Sequence, residues 1–238
     1  MTKYVFNEDF FENIDTESKA YWLGFLYADG CILEMKSHDG IRIPQTVQIS
    51  ISEKDVEILH RFMKDIELDK PIYTGISHNK KSTTQYSRVQ VGSKKMCADL
   101  IKHGCTPRKT YTLEFPQDIP KDLLRHFVRG YFDGDGSVYL CERMQYDKRR
   151  GKEYLQQNFC CSFQGTYKFL KSLDEILSEN KIMTRPIRKG HGEIYSLEFG
   201  RRDSMIQFFY YIYDNHNVRL DRKYIKFLNC FEHLKLVP

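Results

Sequence analysis

A short motif occurs twice in this sequence and constrains the possible folds more than any other feature. Residues 24–30 read GFLYADG and residues 130–136 read GYFDGDG, and each copy follows an apolar stretch long enough for a helix. Residues four positions apart lie on the same face of a helix, so each copy presents two small residues on one face. Small residues allow a second helix to approach closely. The repeat therefore predicts that the two motif helices pack against each other and bring their terminal acids together.

The chain is also repeated outside the motifs, at a spacing of about 110 residues. Alternating strand patterns at 47–52 and 158–163 each lead into an amphipathic helix, and a later strand pattern recurs as well. Each half is predicted to contain a helix, a hairpin, a helix, a hairpin and a third helix, which ends near residue 109 or residue 223. Two closely spaced prolines indicate a linker at 115–122 between an N-terminal half, 1–114, and a C-terminal half, 123–238.

Composition excludes several classes of protein. The 238 residues are 41% hydrophobic, which suffices for one large domain or two smaller ones, and no apolar run approaches the ~18 residues of a membrane span. The net charge of +5 is compatible with a polyanionic partner. The seven cysteines have neither disulfide-framework nor zinc-ligand spacing, and the first residues do not resemble a secretory signal. We therefore expect a reduced, intracellular protein with no membrane partner.

The terminal acids of the two motifs, Asp29 and Asp135, indicate a metal site. A carboxylate at a helix C-terminus costs ~0.3–1 kcal/mol, and two such ends would converge here. A divalent cation reverses this repulsion, and oxygen ligands suit Mg²⁺. Alternatively, each Asp-Gly pair ends its helix through a left-handed glycine. The recurrence of the same acid favours metal binding, whereas Asp133 has no counterpart in the first copy and is interpreted as a helix-surface or packing residue, with a metal role as the alternative.

The motifs at 22–30 and 128–136 resemble the paired motif of the LAGLIDADG homing endonucleases, in their single-chain form with two copies. The resemblance extends from about residue 18 to residue 228. It implies an α+β protein with two pseudo-symmetric αββαββα domains, whose antiparallel sheets form a DNA-binding saddle and whose motif helices pack at the domain interface. It also implies a functional monomer that cleaves both strands of a long, non-palindromic DNA target. The expected cofactor is Mg²⁺ or Mn²⁺, with two or three ions shared between two active sites.

The resemblance also assigns roles at these two sites. Asp29 and Asp135 bind metal, assisted by the main-chain carbonyls of Ala28 and Gly134. The family has a polar pair after the second strand of each domain, which here is 53–54 (Glu-Lys) and 164–165 (Gln-Gly). Lys54 would stabilise developing phosphate charge or lower the pKa of the attacking water, and Glu53 and Gln164 would position solvent. The alternative for Lys54 is a solvated surface lysine. Gly165 replaces an expected lysine, which makes the two sites unequal.

Sequence recognition is expected on the outward faces of the sheets, where polar side chains alternate with apolar ones. Basic pairs that open the third helix of each half are expected to contact phosphates. The alternative for all of these residues is an ordinary solvated surface. The candidate DNA-binding residues are Gln48, Ser50, Tyr86, Arg88, Gln90, Lys94, Lys95, Tyr139, Arg143, Arg201 and Arg202, and the candidate helix-packing residues are Gly24, Ala28, Gly130 and Gly134.

Two other functions fit the same resemblance. One is an RNA-binding cofactor for intron splicing, with a host intron RNA as partner. The other is a DNA-binding regulator that no longer cleaves. The presence of both Asp29 and Asp135 argues against the second, because a non-cutting descendant is free to lose them.

Overall fold

The structure, a computed structural model, describes residues 4–79, 82–233 and 235. Two series of elements follow each other along the chain. The first comprises α1 (Glu17–Asp29), β1 (Gly30–Lys36), β2 (Arg42–Ser52), α2 (Val56–Asp65), β3 (Tyr73–Asn79), β4 (Ser82–Gly92) and α3 (Lys94–Lys102). The second comprises α4 (Leu124–Asp135), β5 (Ser137–Asp147), β6 (Lys152–Gly165), α5 (Tyr167–Glu179), β7 (Arg188–Lys189), β8 (Tyr195–Phe199), α6 (Arg202–Tyr213) and α7 (Asp221–His233).

Each series forms one antiparallel sheet, and the two sheets have equivalent strand orders. The first is β1-β2-β4-β3 and the second is β5-β6-β8-β7. In both sheets, the second strand of the later hairpin pairs with the second strand of the earlier one. Within the described residues the chain is thus mixed α+β with two four-stranded antiparallel sheets. This confirms the α+β fold class that the family resemblance implied.

The prediction for the ends of the third helices was wrong. Helix α3 ends at Lys102, and residue 109 belongs to a separate 3₁₀ turn, Lys109–Tyr111. The chain leaves the helix through Gly104, whose φ of +89° is a left-handed conformation that favours glycine. In the second series α6 ends at Tyr213, and residue 223 lies in the additional helix α7. Phe227 and Phe231 of α7 pack edge-on against Phe159 of β6, which explains why the sheet holds this extra helix.

The chain forms two compact units. The first extends to Asp135 and also includes Asn215–Leu220, and the second comprises Gly136–Asp214 and continues from Asp221. Both motif helices therefore belong to the first unit. The halves 1–114 and 123–238 with their linker describe the sequence repeat, and their boundary stays a prediction.

Aromatic side chains form much of the core in each unit. In the first, the buried indole of Trp22 contacts the rings of Phe25 and Phe62, and its Nε1 donates to Asp65 Oδ2 at 2.6 Å. In the second, Phe163 and Phe208 pack edge-on at 5.8 Å between ring centroids. None of the described helices is both long enough and apolar enough to cross a membrane.

Candidate active site and nucleic-acid interface

The small residues of the motif bring the backbones of α1 and α4 into direct contact. A Cβ atom added at Gly24 would lie 2.1 Å from the carbonyl oxygen of Phe127, and one added at Gly130 would lie 1.9 Å from that of Tyr21. Real Cβ atoms do not approach oxygen so closely, so no larger side chain fits without moving a helix. The prediction that the two motif helices pack against each other is confirmed.

The two motif acids occupy equivalent positions at the ends of these helices. Asp29 is the last residue of α1 and Asp135 the last of α4, and both are exposed, whereas the turns before them are buried. A Cβ atom at Gly134 would lie 3.4 Å from Asp29 Oδ2, so the first carboxylate lies beside the last turn of the opposite helix. Burial raises the pKa of Tyr131 well above its usual range, and the negative charges of Asp135 and Asp29 add to this effect. Both carboxylates therefore act on the same buried phenol.

Gly30 ends α1 in a way that the left-handed-glycine alternative does not describe. Its φ and ψ are −79° and 153°, an extended conformation, and its N–H donates to the carbonyl of Leu26. A Cβ atom there would lie 2.6 Å from both the Leu26 carbonyl oxygen and Leu26 Cδ2. Glycine is required because β1 begins directly over the last turn of the helix. The chain thus fixes Asp29 at the junction of helix and strand.

The donor set at the two helix ends fits a divalent cation held jointly with a substrate. Across the described part of the chain, no cluster of three or more His, Cys, Asp or Glu side chains could hold a metal ion. The site instead offers two carboxylates together with the carbonyls of Ala28 and Gly134, which lie at the negative ends of the helix dipoles. Mg²⁺ is commonly bound through one or two carboxylates, substrate phosphates and several waters. These residues therefore suit Mg²⁺ with a phosphate ligand, and they do not form a closed structural metal site.

Lys109 brings a positive charge to the first acid. Its side chain is half-buried, and the ammonium group donates to the carbonyl oxygen of Gly30, the residue that follows Asp29. The 3₁₀ turn Lys109–Tyr111 holds it there. In the sequence, Lys109 stands out only as a basic residue beyond the third helix, where the repeat predicts a contact with the DNA backbone. The available signal was the Arg-Lys pair, which recurs at 222–223 in the second half.

The polar pair of the first half lies in a 3₁₀ turn, Glu53–Asp55, directly after β2. Because Gly30 pairs with Ile49 on β2, this turn is at the same end of the hairpin as Asp29. The Lys54 side chain is exposed and Glu53 is half-buried. The structure thus brings both residues to the same end of the β1–β2 hairpin as Asp29.

The corresponding residues of the second half belong to the second unit. Gln164 is the penultimate residue of β6, where it pairs with Ser196 and is exposed. Gly165 ends the strand and is buried. A side chain that could replace Lys54 is therefore missing at position 165.

One face of the first sheet carries the five candidate DNA-binding residues of that sheet. Val47, Ile49, Val89 and Val91 are buried on the opposite face, so the pleat directs their neighbours away from the core. Ser50 is exposed, and the remaining four are half-buried because they contact one another or other residues of the strands. These five residues are Gln48, Ser50, Tyr86, Arg88 and Gln90.

Two of these contacts order the polar face. Gln90 Nε2 donates to Gln48 Oε1 at 2.7 Å across the β2–β4 pair. The guanidinium carbon of Arg88 lies 4.6 Å from the centre of the Tyr73 ring on β3. Both side chains are therefore held in defined positions by neighbouring residues of the sheet.

On the second sheet, Tyr139 and Arg143 lie on the same face of β5, since they are four residues apart in one strand. Arg143 is exposed, whereas Tyr139 is half-buried, and burial followed by the charge of Glu198 raises its pKa. Glu198 also forms an ion pair with Arg185 at 3.2 Å. Near the start of β5, this face therefore contains the ion pair between Arg185 and Glu198. Arg143 lies further along the strand.

The basic pairs lie where the sequence suggested, at the starts of two helices. Lys94 opens α3 after its N-cap, Ser93, and Arg201 is the N-cap of α6, which begins at Arg202. The side chains of Lys94, Arg201 and Arg202 are exposed.

Lys95 differs from the other basic residues because three carboxylates surround its ammonium group. They belong to Asp9, Glu12 and Asp99, at 3.0, 2.8 and 2.9 Å. Hydrogen bonds from Lys95, first to Glu12 and then to Asp99 and Asp9, raise its pKa. This local excess of negative charge would repel a phosphate, so the geometry favours a role in attaching the N-terminal segment to α3.

Asp133 is an internal packing residue in the structure. It is buried, and its Oδ2 accepts hydrogen bonds from Tyr21 Oη at 2.9 Å and from the N–H of Leu220 at 2.7 Å. Nearby, the fully buried Arg129 donates to the carbonyl of Val218 at 2.8 Å and to Glu17 at 2.7 Å. Residues 215–220, which we call the returning segment, are thus attached to both motif helices. Sequence reasoning did not predict this attachment.

Comparison with known proteins supports the same fold. No protein-family model and no curated protein matches the sequence. Among solved structures, the I-LtrWI LAGLIDADG homing endonuclease bound to target DNA is similar over 96% of this chain and 92% of its own, with a TM-score of 0.61 and 14% identity. The LAGLIDADG meganuclease I-AabMI bound to uncleaved DNA is similar over 90% of this chain and 90% of its own, with a TM-score of 0.58 and 12% identity. I-SmaMI, bound to uncleaved DNA in the presence of calcium ions, is similar over 91% of this chain and 92% of its own, with a TM-score of 0.53 and 13% identity. The chain therefore has the fold of the single-chain, two-domain LAGLIDADG homing endonucleases.

Proposed function

We propose that this protein is a site-specific DNA endonuclease that hydrolyses both strands of a long, non-palindromic duplex target. The observation that carries this proposal is the pair of exposed acids, Asp29 and Asp135, at adjacent ends of two helices in direct backbone contact. A protein gains little stability from two carboxylates at convergent negative dipole ends. A catalytic role for the acids accounts for this arrangement.

Asp29 and Asp135, with the carbonyls of Ala28 and Gly134, would bind the divalent cations. Two or three Mg²⁺ or Mn²⁺ ions would activate the attacking water and stabilise the leaving oxygen. The protein's own contribution is positioning, because the close helix contact fixes the spacing of the two carboxylates. A displacement of about 1 Å at such a site can reduce the rate about 100-fold.

Lys109 and Lys54 would provide positive charge near the phosphate that is attacked at the first acid. Lys109 is already oriented by its hydrogen bond to Gly30, so it loses little side-chain entropy when a phosphate binds. Lys54 is exposed at the same edge of the sheet. Glu53 and Gln164 would orient water. Because position 165 is glycine, cleavage of the two strands would differ in its dependence on lysine.

Duplex DNA is the proposed partner. The similar solved structures are described as bound to target DNA or to uncleaved DNA, which supports this choice. The polar face of the first sheet and Tyr139 and Arg143 of the second would contact bases, while Lys94, Arg201 and Arg202 would contact phosphates. One chain carries both motif helices, which supports a functional monomer, and we propose that it acts inside the cell.

Selection for cleavage from a randomised duplex library with Mg²⁺ tests the activity and identifies the target. On that target, Asp29→Asn and Asp135→Asn should each abolish double-strand cleavage but retain most of the binding affinity, because the basic contacts remain. Ca²⁺ should support binding without efficient cleavage. Asp39→Asn, which changes an exposed acid in the β1–β2 turn, is the matched control and should cleave normally.

The outcomes distinguish the candidate functions. Near-normal cutting of both strands by either motif variant would refute the assignment of the acids. Sequence-specific duplex binding without cleavage by the native protein would identify a regulator. Binding to an intron RNA without activity on any duplex would identify a splicing cofactor.

A further inference from the structure

Arg88 occupies a constrained position on the polar face of the first sheet. In the strand register it pairs with Ser50 of β2 on one side and with Tyr73 of β3 on the other. The three residues therefore form one row across the sheet, with their side chains on the same face.

Two tyrosine rings hold the guanidinium group of Arg88. Its central carbon lies 4.6 Å from the centroid of the Tyr73 ring and 6.0 Å from that of Tyr86. Stacking on an aromatic ring is favourable for arginine, which keeps its planar set of donors in a fixed orientation. Gly75 makes this arrangement possible, because a Cβ atom there would lie 2.7 Å from the Tyr86 ring.

One nitrogen of the Arg88 side chain has no hydrogen-bond partner within the described residues. The Nε atom is buried and makes no hydrogen bond. A buried donor without a partner costs stability, which indicates that the site is built for something other than stability. The two terminal nitrogens are the donors that a planar ligand edge could use together.

We propose that Arg88 recognises a guanine in the target duplex and that Tyr73 is its positioning residue. This inference rests on the proposed function, since it identifies part of the substrate that the endonuclease would select. In the major groove only guanine presents two acceptors, O6 and N7, on one base edge, and they match the paired donors of arginine.

The sheet register also gives the position of this guanine in the target. Gly30, which follows Asp29, pairs with Ile49, and Ile49 pairs with Val89, the neighbour of Arg88. Two strand spacings of about 4.8 Å separate Gly30 from Val89. This separation of about 10 Å corresponds to about three base pairs at a rise of about 3.4 Å per base pair, and the length of the arginine side chain adds to it. We therefore expect the guanine within about five base pairs of the phosphate that is attacked at Asp29.

The experiment measures base preference at every target position by binding selection from a randomised duplex pool in Ca²⁺. Arg88→Lys keeps the charge but loses the paired donors, so preference for one guanine near the cleavage position should fall by about 5- to 150-fold. Tyr73→Leu should weaken the same preference, and Tyr73→Phe should restore it because the ring remains. Arg143→Gln, a change to an exposed arginine of the second sheet, is the control and should alter a different position. Thermal unfolding of each variant shows that the fold is intact.

Each outcome has a defined meaning. If the native protein selects a specific duplex and Arg88→Lys changes no base preference, this inference is overturned while the proposed function stands. If the guanine preference behaves as expected but the native protein does not cleave in Mg²⁺, the inference stands and the endonuclease activity is refuted. If Tyr73→Phe loses the preference as fully as Tyr73→Leu, stacking is not the cause and the positioning role is overturned.

Discussion

The contact between Gly134 and Ala28 allows a test of how the helix packing controls the candidate active site. A methyl group added at Gly134 would lie 2.2 Å from the Cβ atom of Ala28. Carbon atoms pack best at about 3.5–4.0 Å, so at least about 1.3 Å is missing and the helices must separate locally. We expect Gly134→Ala to destabilise the protein by about 1–3 kcal/mol, offset by at most about 1 kcal/mol from better helix propensity.

The same geometry predicts that a second change repairs the first. With Ala28→Gly in addition, the nearest remaining atoms to the new methyl group are Asp29 Oδ2 and the Asp29 backbone nitrogen, at 3.4 and 3.5 Å. Both distances are ordinary van der Waals contacts. The double variant should therefore be more stable than the sum of the single effects predicts, with a coupling energy of about 1–3 kcal/mol.

The assay is urea unfolding followed by tryptophan fluorescence. The chain has a single tryptophan, Trp22, which is fully buried in α1 and so reports on the unit that contains both motif helices. Gly92→Ala is the control, because a Cβ atom there meets nothing within 4 Å and should change little. Cleavage should follow the same pattern, with a loss of about 100-fold in Gly134→Ala and recovery in the double variant. Additive stability effects would show that the two positions are not in contact and would refute the reasoning.

Three further predictions concern other parts of the structure. Lys54→Met keeps the side-chain length but removes the charge, and should slow cleavage of one strand by about 100- to 1000-fold. Nicked plasmid should then accumulate before linear product. Equal slowing of both strands would indicate a shared role, and no slowing would indicate a surface lysine. Asp133→Asn should lower the unfolding free energy by about 1–3 kcal/mol in the same assay and leave the Mg²⁺ dependence of cleavage unchanged, whereas a shift in that dependence would support a metal role. Burial, reinforced by the charge of Arg129, lowers the pKa of His126 to about 4, so the folded protein should lose stability as the pH falls from about 6.5 to 4, where the unfolded chain binds more protons. His126→Asn should flatten this pH profile, and an unchanged profile would show that another group is responsible.

The sequence predicted the helix pair well, because the small residues act through local spacing. Gly24 and Gly130 are separated by 106 residues, yet four-residue spacing on each helix already defines the face that must meet a close neighbour. The outward orientation of Gln48 and Arg88 follows equally from local alternation along a strand.

The features that sequence analysis missed depend on distant partners. Lys95 had the appearance of a phosphate contact, and only the folded chain shows that Asp9 and Glu12 surround it. The orientation of Lys109 toward Gly30 depends on where α3 ends, and that end was predicted seven residues too late. Periodicity describes single elements, and it does not specify which side chains of other elements occupy the space around them.

The returning segment has a consequence for the order in which the protein is made. The partners of Arg129 and Asp133 lie almost ninety residues later in the chain, at Val218 and Leu220. During synthesis from the N-terminus, the first unit must wait for the whole intervening sequence before these buried charges are satisfied. Its completion is therefore a late, high-contact-order step, and such closures are slow. For the same reason, a hybrid protein made by joining the first half to another protein's second half would lack these partners unless residues 215–220 were supplied with it.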